Sequence, residues 1–206
     1  LTGASVHFLH LSTARSVDLV RDAKANGLNV TAEVTPHHLS LTQELLTTFD
    51  PVYKVNPPLR SMKDIQALKV GLLDGTIDAV ATDHAPHARR DKELTLDQAP
   101  PGMIGLETAL GVVLSCVDLD PVKIAAVMSR NPARIAQITE QHGHNIGVGD
   151  IAHLCVVDLD AMWQVDPSKM ASKSRNTPFV GRQLRGMVRS TMYRGQITVL
   201  DGVAQK

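Results

Sequence analysis

The chain has 206 residues, 43% of them hydrophobic, and its 21 basic side chains cancel 21 acidic ones, so it can core one or two domains and has no net field to hold a polyanion. It has no Lys/Arg-rich run to track a phosphate backbone, and no apolar stretch near the roughly 20 residues of a membrane helix, which argues against nucleic acid and membrane as partners. The first residues show no signal pattern, and Cys116 and Cys155 sit in apolar runs as small buried hydrophobes of a reducing compartment would, so the expected location is the cytoplasm.

The chain opens on Leu1, without a methionine, and runs almost at once into an apolar segment, as a piece cut from a longer protein would. Residues 5–11 (SVHFLHL) read as a strand, Ser12 and Thr13 as an N-cap, and SVDLVRDAKANG as a helix stopped by Gly27. Residues 29–35 (NVTAEVT) read as a second strand, 41–48 as a short helix, and 52–56 as a third strand ended by Pro57 and Pro58. A helix over 62–73 stops near Gly75 and leads into an apolar fourth strand over 77–82. Strands alternating with helices imply parallel pairing, because parallel neighbours need a crossover.

Residues 84–102 are polar, with a charged run at 89–93 and several prolines, and read as a long loop of the kind that carries function. Helices are expected over 106–117 and 121–139, the second broken at Asn131-Pro132. From Gly147 onward, short β-type runs separated by glycine and aspartate predict a small β domain.

In parallel barrels, chemistry gathers where strands end and loops begin. On this reading His10 closes the first strand, His37 and His38 follow the second, Asn56 ends the third, and Asp83, His84 and His87 follow the fourth. Singly each is weak, since a loop histidine is more often solvated or structural than a ligand; together at four strand ends they are harder to dismiss. Imidazole and carboxylate are what zinc uses in catalytic sites, where an open position holds a water of pKa about 7. His7 and His10 stand three apart and would point to opposite faces of a strand, so one of them is expected at the mouth. His10, nearer the strand's end, is favoured, with His7 packed against a helix or partly solvated. Geometry alone leaves the choice between His37 and His38 open.

The segments HLST, VTPHHL, KVNPPLR, ATDHAPH and GMIGLET, in that order, closely resemble the dihydroorotase family over residues 6–108, with weaker similarity through NTPFVGRQLRG at 176–186. The resemblance implies an α/β fold: the C-terminal half of a (β/α)8 TIM-type metallohydrolase barrel over residues 1–140, then a small C-terminal β domain over 141–206. It implies zinc-dependent, reversible hydrolysis of dihydroorotate to N-carbamoyl-L-aspartate in de novo pyrimidine biosynthesis, with Zn2+ as cofactor, one or two ions per full-length site. Carried over residue by residue, it implies His10, His37 and Asp83 as metal ligands, with Asp83 also the catalytic proton carrier. Asn56, His87, Pro101 and Gly102 become substrate-binding positions, His87 opposite the substrate carboxylate and Gly102 allowing close backbone approach. Plainer readings make Asn56 a turn residue before Pro57, and His84 or His87 a tether for the loop.

Two departures from the family stand out. His153 occupies a tail position where the family more often has aspartate, far from the mouth. More seriously, no segment supplies the family's His-x-His pair, its substrate-binding arginine, or its bridging aspartate or carboxylated lysine. Half of the site is absent, so the chain alone is expected to be inactive. The partners implied are the missing N-terminal half of the barrel and, beyond it, a second copy or aspartate transcarbamoylase. Two rivals remain: a hydantoinase or allantoinase acting on five-membered cyclic ureides, and a non-catalytic dihydroorotase-like scaffold for aspartate transcarbamoylase. The ligands retained in this half argue against the scaffold.

Overall fold

In the computed structural model, which describes residues 2–205, the first strand, β1 (Val6–Phe8), pairs in parallel with β2 (Val30–Val34), in the register Val6 to Val30 and Phe8 to Ala32. Leu1 and Lys206, the outer ends of the two expected segments, lie outside the described residues. Helix α1 (Ala14–Ala25) makes the crossover, started by a reciprocal cap in which Thr13 and Ser16 satisfy each other's backbone N–H groups. Helix α2 (Met62–Asp74) begins on the same device, built from Ser61 and Asp64, and ends where Gly75 turns left-handed. β3 (Ala79–Val80) then joins β2 in parallel, giving the order β1-β2-β3.

The third strand expected over residues 52–56 does not form. Pro51–Tyr53 is instead a 3-10 turn following another at Gln43–Thr48, and Pro51, Pro57 and Pro58 have no N–H to donate to a ladder. Among the described residues the parallel sheet therefore has three strands, with β1 and β3 at its edges. Val17 and Val20 of α1, Leu68 and Leu72 of α2, and Ala32 and Val34 of β2 are buried together, each of the larger side chains contributing about 1.5–3 kcal/mol. The β1 flank is less covered: Val6 and Phe8 are each 42% exposed and Leu9 63%.

After β3 the loop contains one short helix, α3 (Arg89–Lys92), and is followed by α4 (Ala109–Cys116) and α5 (Pro121–Ala125). The break expected at Asn131-Pro132 is absent. A π turn over Ala126–Arg130 runs straight into α6 (Asn131–Ile135), with the Asn131 N–H donating to Ala126 O five residues back. Pro132 falls in the first turn of α6, where its missing N–H costs little.

The tail folds into an antiparallel sheet of β4 (Leu154–Gln164), β5 (Gln183–Tyr193), β6 (Gln196–Leu200) and β7 (Val203–Ala204) in sequential order. It docks on α4 through a second core in which Val165, Phe179 and Leu184 meet Val112 and Met103. Gly186 makes this approach possible: at φ 91° it is left-handed, and a Cβ there would strike Leu114 Cδ1. The Arg185 N–H donates to Ser115 Oγ at 2.9 Å. Both cysteines are free, and neither is buried as expected: Cys116 is half-buried and Cys155 exposed. Among the described residues no helix is long and apolar enough to cross a membrane.

Candidate active site

β1 stops at Phe8, and two residues later His10 adopts a left-handed backbone at φ 51°. That turn overrides the strand alternation expected to send His7 and His10 to opposite faces, and both rings reach one carboxylate, Glu33 of β2. His7 Nε2 lies 3.0 Å from Glu33 Oε2, and His7 Nδ1 lies 2.8 Å from Thr31 Oγ1. His7 is thus held by β2 and not by a helix, and is partly solvated as the other reading had it.

His10 Nδ1 approaches Glu33 Oε1 to 2.8 Å. The atoms are off the line of a hydrogen bond, leaving that nitrogen without an aligned partner. Attraction between charged groups depends chiefly on separation, so the contact still governs the local electrostatics. The other ring nitrogen, Nε2, stands 3.5 Å from Asp83 Oδ1. The neighbouring Glu33, working against burial and helped by Asp83, raises the His10 pKa. Burial pushes the Glu33 carboxyl upward, but His10 and His7 outweigh it and the net shift is downward.

At the end of β2 the structure separates His37 from His38. His38 has both ring nitrogens engaged, Nδ1 with Thr35 Oγ1 at 2.7 Å and Nε2 with Pro57 O at 3.0 Å. Burial, partly offset by the Pro57 carbonyl, pushes its pKa down to about 4. His37 is buried with Nε2 unpartnered, and burial, with His38 and His10 nearby, holds its pKa well below the usual value. A neutral imidazole with a buried, unshared lone pair is what a divalent metal requires.

Asp83 follows β3 and, like His10, is left-handed, at φ 46°. Such backbone costs a non-glycine residue of order 1–3 kcal/mol and persists where neighbours enforce it. The next ring, His84, is turned away: its Nδ1 accepts N–H bonds from Gly105 at 3.1 Å and Leu106 at 3.3 Å, so it does tether the loop. Residues 84–87 and 101–104 are zipped together, with the Ala85 N–H donating to Met103 O at 2.9 Å and His87 Nε2 to Pro101 O at 3.0 Å. At Gly102, φ 131°, a Cβ would come within 2.6 Å of Ala85 Cβ and 2.8 Å of His87 Nε2. Asn56 is exposed in the loop before Pro57 and ends no strand.

His10, Asp83 and Glu33 are therefore gathered directly, while His37 lies near enough to feel His10 electrostatically. The donor types suit zinc, and His37 Nε2 is buried without a hydrogen-bond partner. Among the described residues, no group of three or more His, Cys, Asp or Glu side chains is drawn together tightly enough to hold an ion, so the donors fit part of a metal site and do not close one. An open groove of about 600 Å³ lined by Ser115, Cys116, Met162 and Arg185 contains none of these residues.

Two residues escaped the sequence reading. Glu33 had a signal, a single charge inside the otherwise apolar and hydroxylic run VTAEVT, since buried charges are seldom unpaired. Asn176, whose side chain reaches back to Ala85 and Gly102, gave none beyond its place in NTPFVG.

The family model for amidohydrolases matches residues 2–198. Dihydroorotase of Streptomyces coelicolor is 54% identical over 204 residues, covering 97% of this chain and 47% of that protein. Dihydroorotase of Mycobacterium tuberculosis is 48% identical over 204 residues, with the same coverage of 97% and 47%. Among solved structures, the L-hydantoinase (dihydropyrimidinase) of Arthrobacter aurescens superimposes with a TM-score of 0.90 at 31% identity, covering 99% of this chain and 47% of that one. The chain spans about half the length of the curated relatives it matches.

Proposed function

The chain belongs to the amidohydrolase family, and from that premise we propose that it forms the C-terminal part of a dihydroorotase, with residues 1–140 as the barrel portion and 141–206 as the β domain. Membership carries a metal-dependent hydrolytic mechanism in general; that the metal is zinc belongs to this proposal, as do the cytoplasm and a second copy or aspartate transcarbamoylase as partner. The observation that supports the reading most is identity of 54% and 48% to two dihydroorotases along nearly the whole chain. The likeness to L-hydantoinase is lower, at 31%.

The reaction is the reversible opening of the dihydroorotate ring to N-carbamoyl aspartate. When bound, the metal supplies a Lewis acid for the ring amide carbonyl and a lowered pKa for the attacking water. His10, His37 and Asp83 would hold it, with Glu33 orienting His10. Asp83 accepts the proton of the attacking water at its carboxylate and delivers it to the departing ring nitrogen; in the biosynthetic direction the same carboxylate runs the transfer backwards. His87, whose Nε2–H donates to Pro101 O, would donate from Nδ1 to the substrate carboxylate as an imidazolium, and Asn56 and the backbone at Pro101 and Gly102 complete the substrate face. Fixing the ring against these groups lowers the entropic cost of reaching the reacting geometry.

The test is a substrate panel on a full-length polypeptide carrying this chain. Dihydroorotate should be the preferred substrate by kcat/KM, with hydantoin and allantoin turned over more slowly. A preference for the five-membered ureides would transfer the assignment to the hydantoinase reading, and a folded, metal-loaded protein inactive on all three would favour the scaffold.

A further inference from the structure

We propose that Asn176, in the segment between β4 and β5, is the positioning residue of the substrate face, acting through His87 and Gly102. The inference rests on the reading of those two residues as substrate-binding. Asn176 is buried at 7% exposure and uses its whole side chain on the loop after β3. Its Nδ2 donates to Ala85 O at 2.9 Å and to Gly102 O at 3.2 Å, and its Oδ1 accepts the His87 N–H at 3.3 Å.

The surrounding backbone reinforces the join. The Ile104 N–H donates to Asn176 O at 3.1 Å, and Ser174 Oγ donates to His87 O at 3.0 Å. Just upstream, the Glu107 carboxylate accepts the N–H groups of Ala171 at 2.9 Å and Ser172 at 3.0 Å. Residues 171–176 thus form a strap tied to the barrel portion at both ends, and Asn176 is where it grips the two loop segments at once.

A primary amide suits this place because it offers two donors and one acceptor together. Aspartate would set a carboxylate against two carbonyl oxygens, and alanine would leave buried backbone groups unpaired. None of these bonds touches a candidate metal residue, so the strap is expected to govern substrate affinity and not metal binding.

The experiment is steady-state kinetics and metal analysis of the full-length enzyme bearing Asn176→Ala, His87→Ala, and the two combined. Asn176→Ala should raise KM for dihydroorotate about tenfold while changing kcat less than about threefold and leaving metal content intact, the pattern of lost binding and not of lost chemistry. The double variant should bind worse than His87→Ala alone by clearly less than the factor Asn176→Ala costs by itself, because the part of its effect carried through His87 is already lost. Should Asn176→Ala not fold, Ser174→Ala removes one bond to the same segment and should raise KM about two- to threefold. If His87→Ala leaves KM unchanged, the substrate-binding reading fails and the inference falls with it. If His87→Ala raises KM but Asn176→Ala, or Ser174→Ala in its place, does not, or if the two effects simply add, the inference alone is overturned.

Discussion

The Glu33 carboxylate lies 2.8 Å from His10 Nδ1, and its other oxygen holds His7 at 3.0 Å. The carboxylate beside Nδ1 favours the proton on that nitrogen electrostatically, though off the line of a hydrogen bond, while Nε2 stands 3.5 Å from Asp83. Such partners fix the ring orientation and basicity of metal-bound histidines, and losing them commonly costs 10–100-fold in metal affinity. Glu33→Gln in the full-length enzyme is therefore expected to weaken metal binding by about that factor in a chelator competition. Unchanged affinity would show that Glu33 serves His7 and the sheet alone.

Asp83→Asn should abolish most turnover while leaving substrate binding largely intact. A neutral amide cannot accept the proton, and general acid-base groups typically contribute about 10² to 10⁴-fold. Turnover within about tenfold of wild type, measured on metal-replete enzyme, would contradict the assignment.

His87→Ala is expected to raise KM more than it alters metal content, since His87 Nε2 is bound to Pro101 O and the residue stands in the loop zipped to residues 101–104. Metal analysis alongside KM decides the point. Loss of metal with normal affinity in the remaining holoenzyme would make His87 a ligand.

Lys92 supplies a pH dependence away from the metal residues. Its Nζ donates to Pro51 O at 3.0 Å and Pro100 O at 2.8 Å. Burial, with Lys54 nearby and Asp50 opposing, lowers its pKa from 10.5 to about 8. Between those values the unfolded chain keeps a proton the folded chain has released, so stability should rise as pH goes from about 8 to about 10.5 and the cost of the buried ammonium is full below that window. Allowing for partial exposure, the gain is roughly 1–2 kcal/mol. Urea midpoints at the two ends of the window should show this rise in the full-length protein and a smaller one in Lys92→Met; equal rises would contradict it.

Elements with local signals were readable from the residues alone. Thr13 and Ser61 cap α1 and α2 where the N-cap and helical spacing placed the helices, and the alternating runs after Gly147 became the antiparallel sheet. The run at 52–56 misled because its apolar residues pack as a turn between prolines, and β propensity reflects burial more than backbone preference. The site was harder. His10 and Asp83 are left-handed, a tertiary imposition that no pattern of residue types announces, and it is the left-handed turn that brings His10 to the carboxylate His7 reaches from within β1. His38 differs from His37 in that Thr35 and the Pro57 carbonyl, 19 residues on, occupy both its ring nitrogens, which no local pattern announces. Asn176 acts on residues 74 to 91 positions away, beyond the reach of local reading.

The central claim is that this chain supplies part of a dihydroorotase site and needs the rest of the barrel to act. β1 and β3 are open edges among the described residues, Phe8 and Leu9 are exposed, and no closed metal cluster forms there, so preorganisation is incomplete. The most direct measurement compares dihydroorotate ring opening by the purified 206-residue chain with added zinc against a fusion in which it replaces the matching half of the Streptomyces coelicolor relative. The fusion should turn over dihydroorotate and the chain alone should not. Ring opening by the isolated chain, or a folded, metal-loaded fusion with none, would contradict the account.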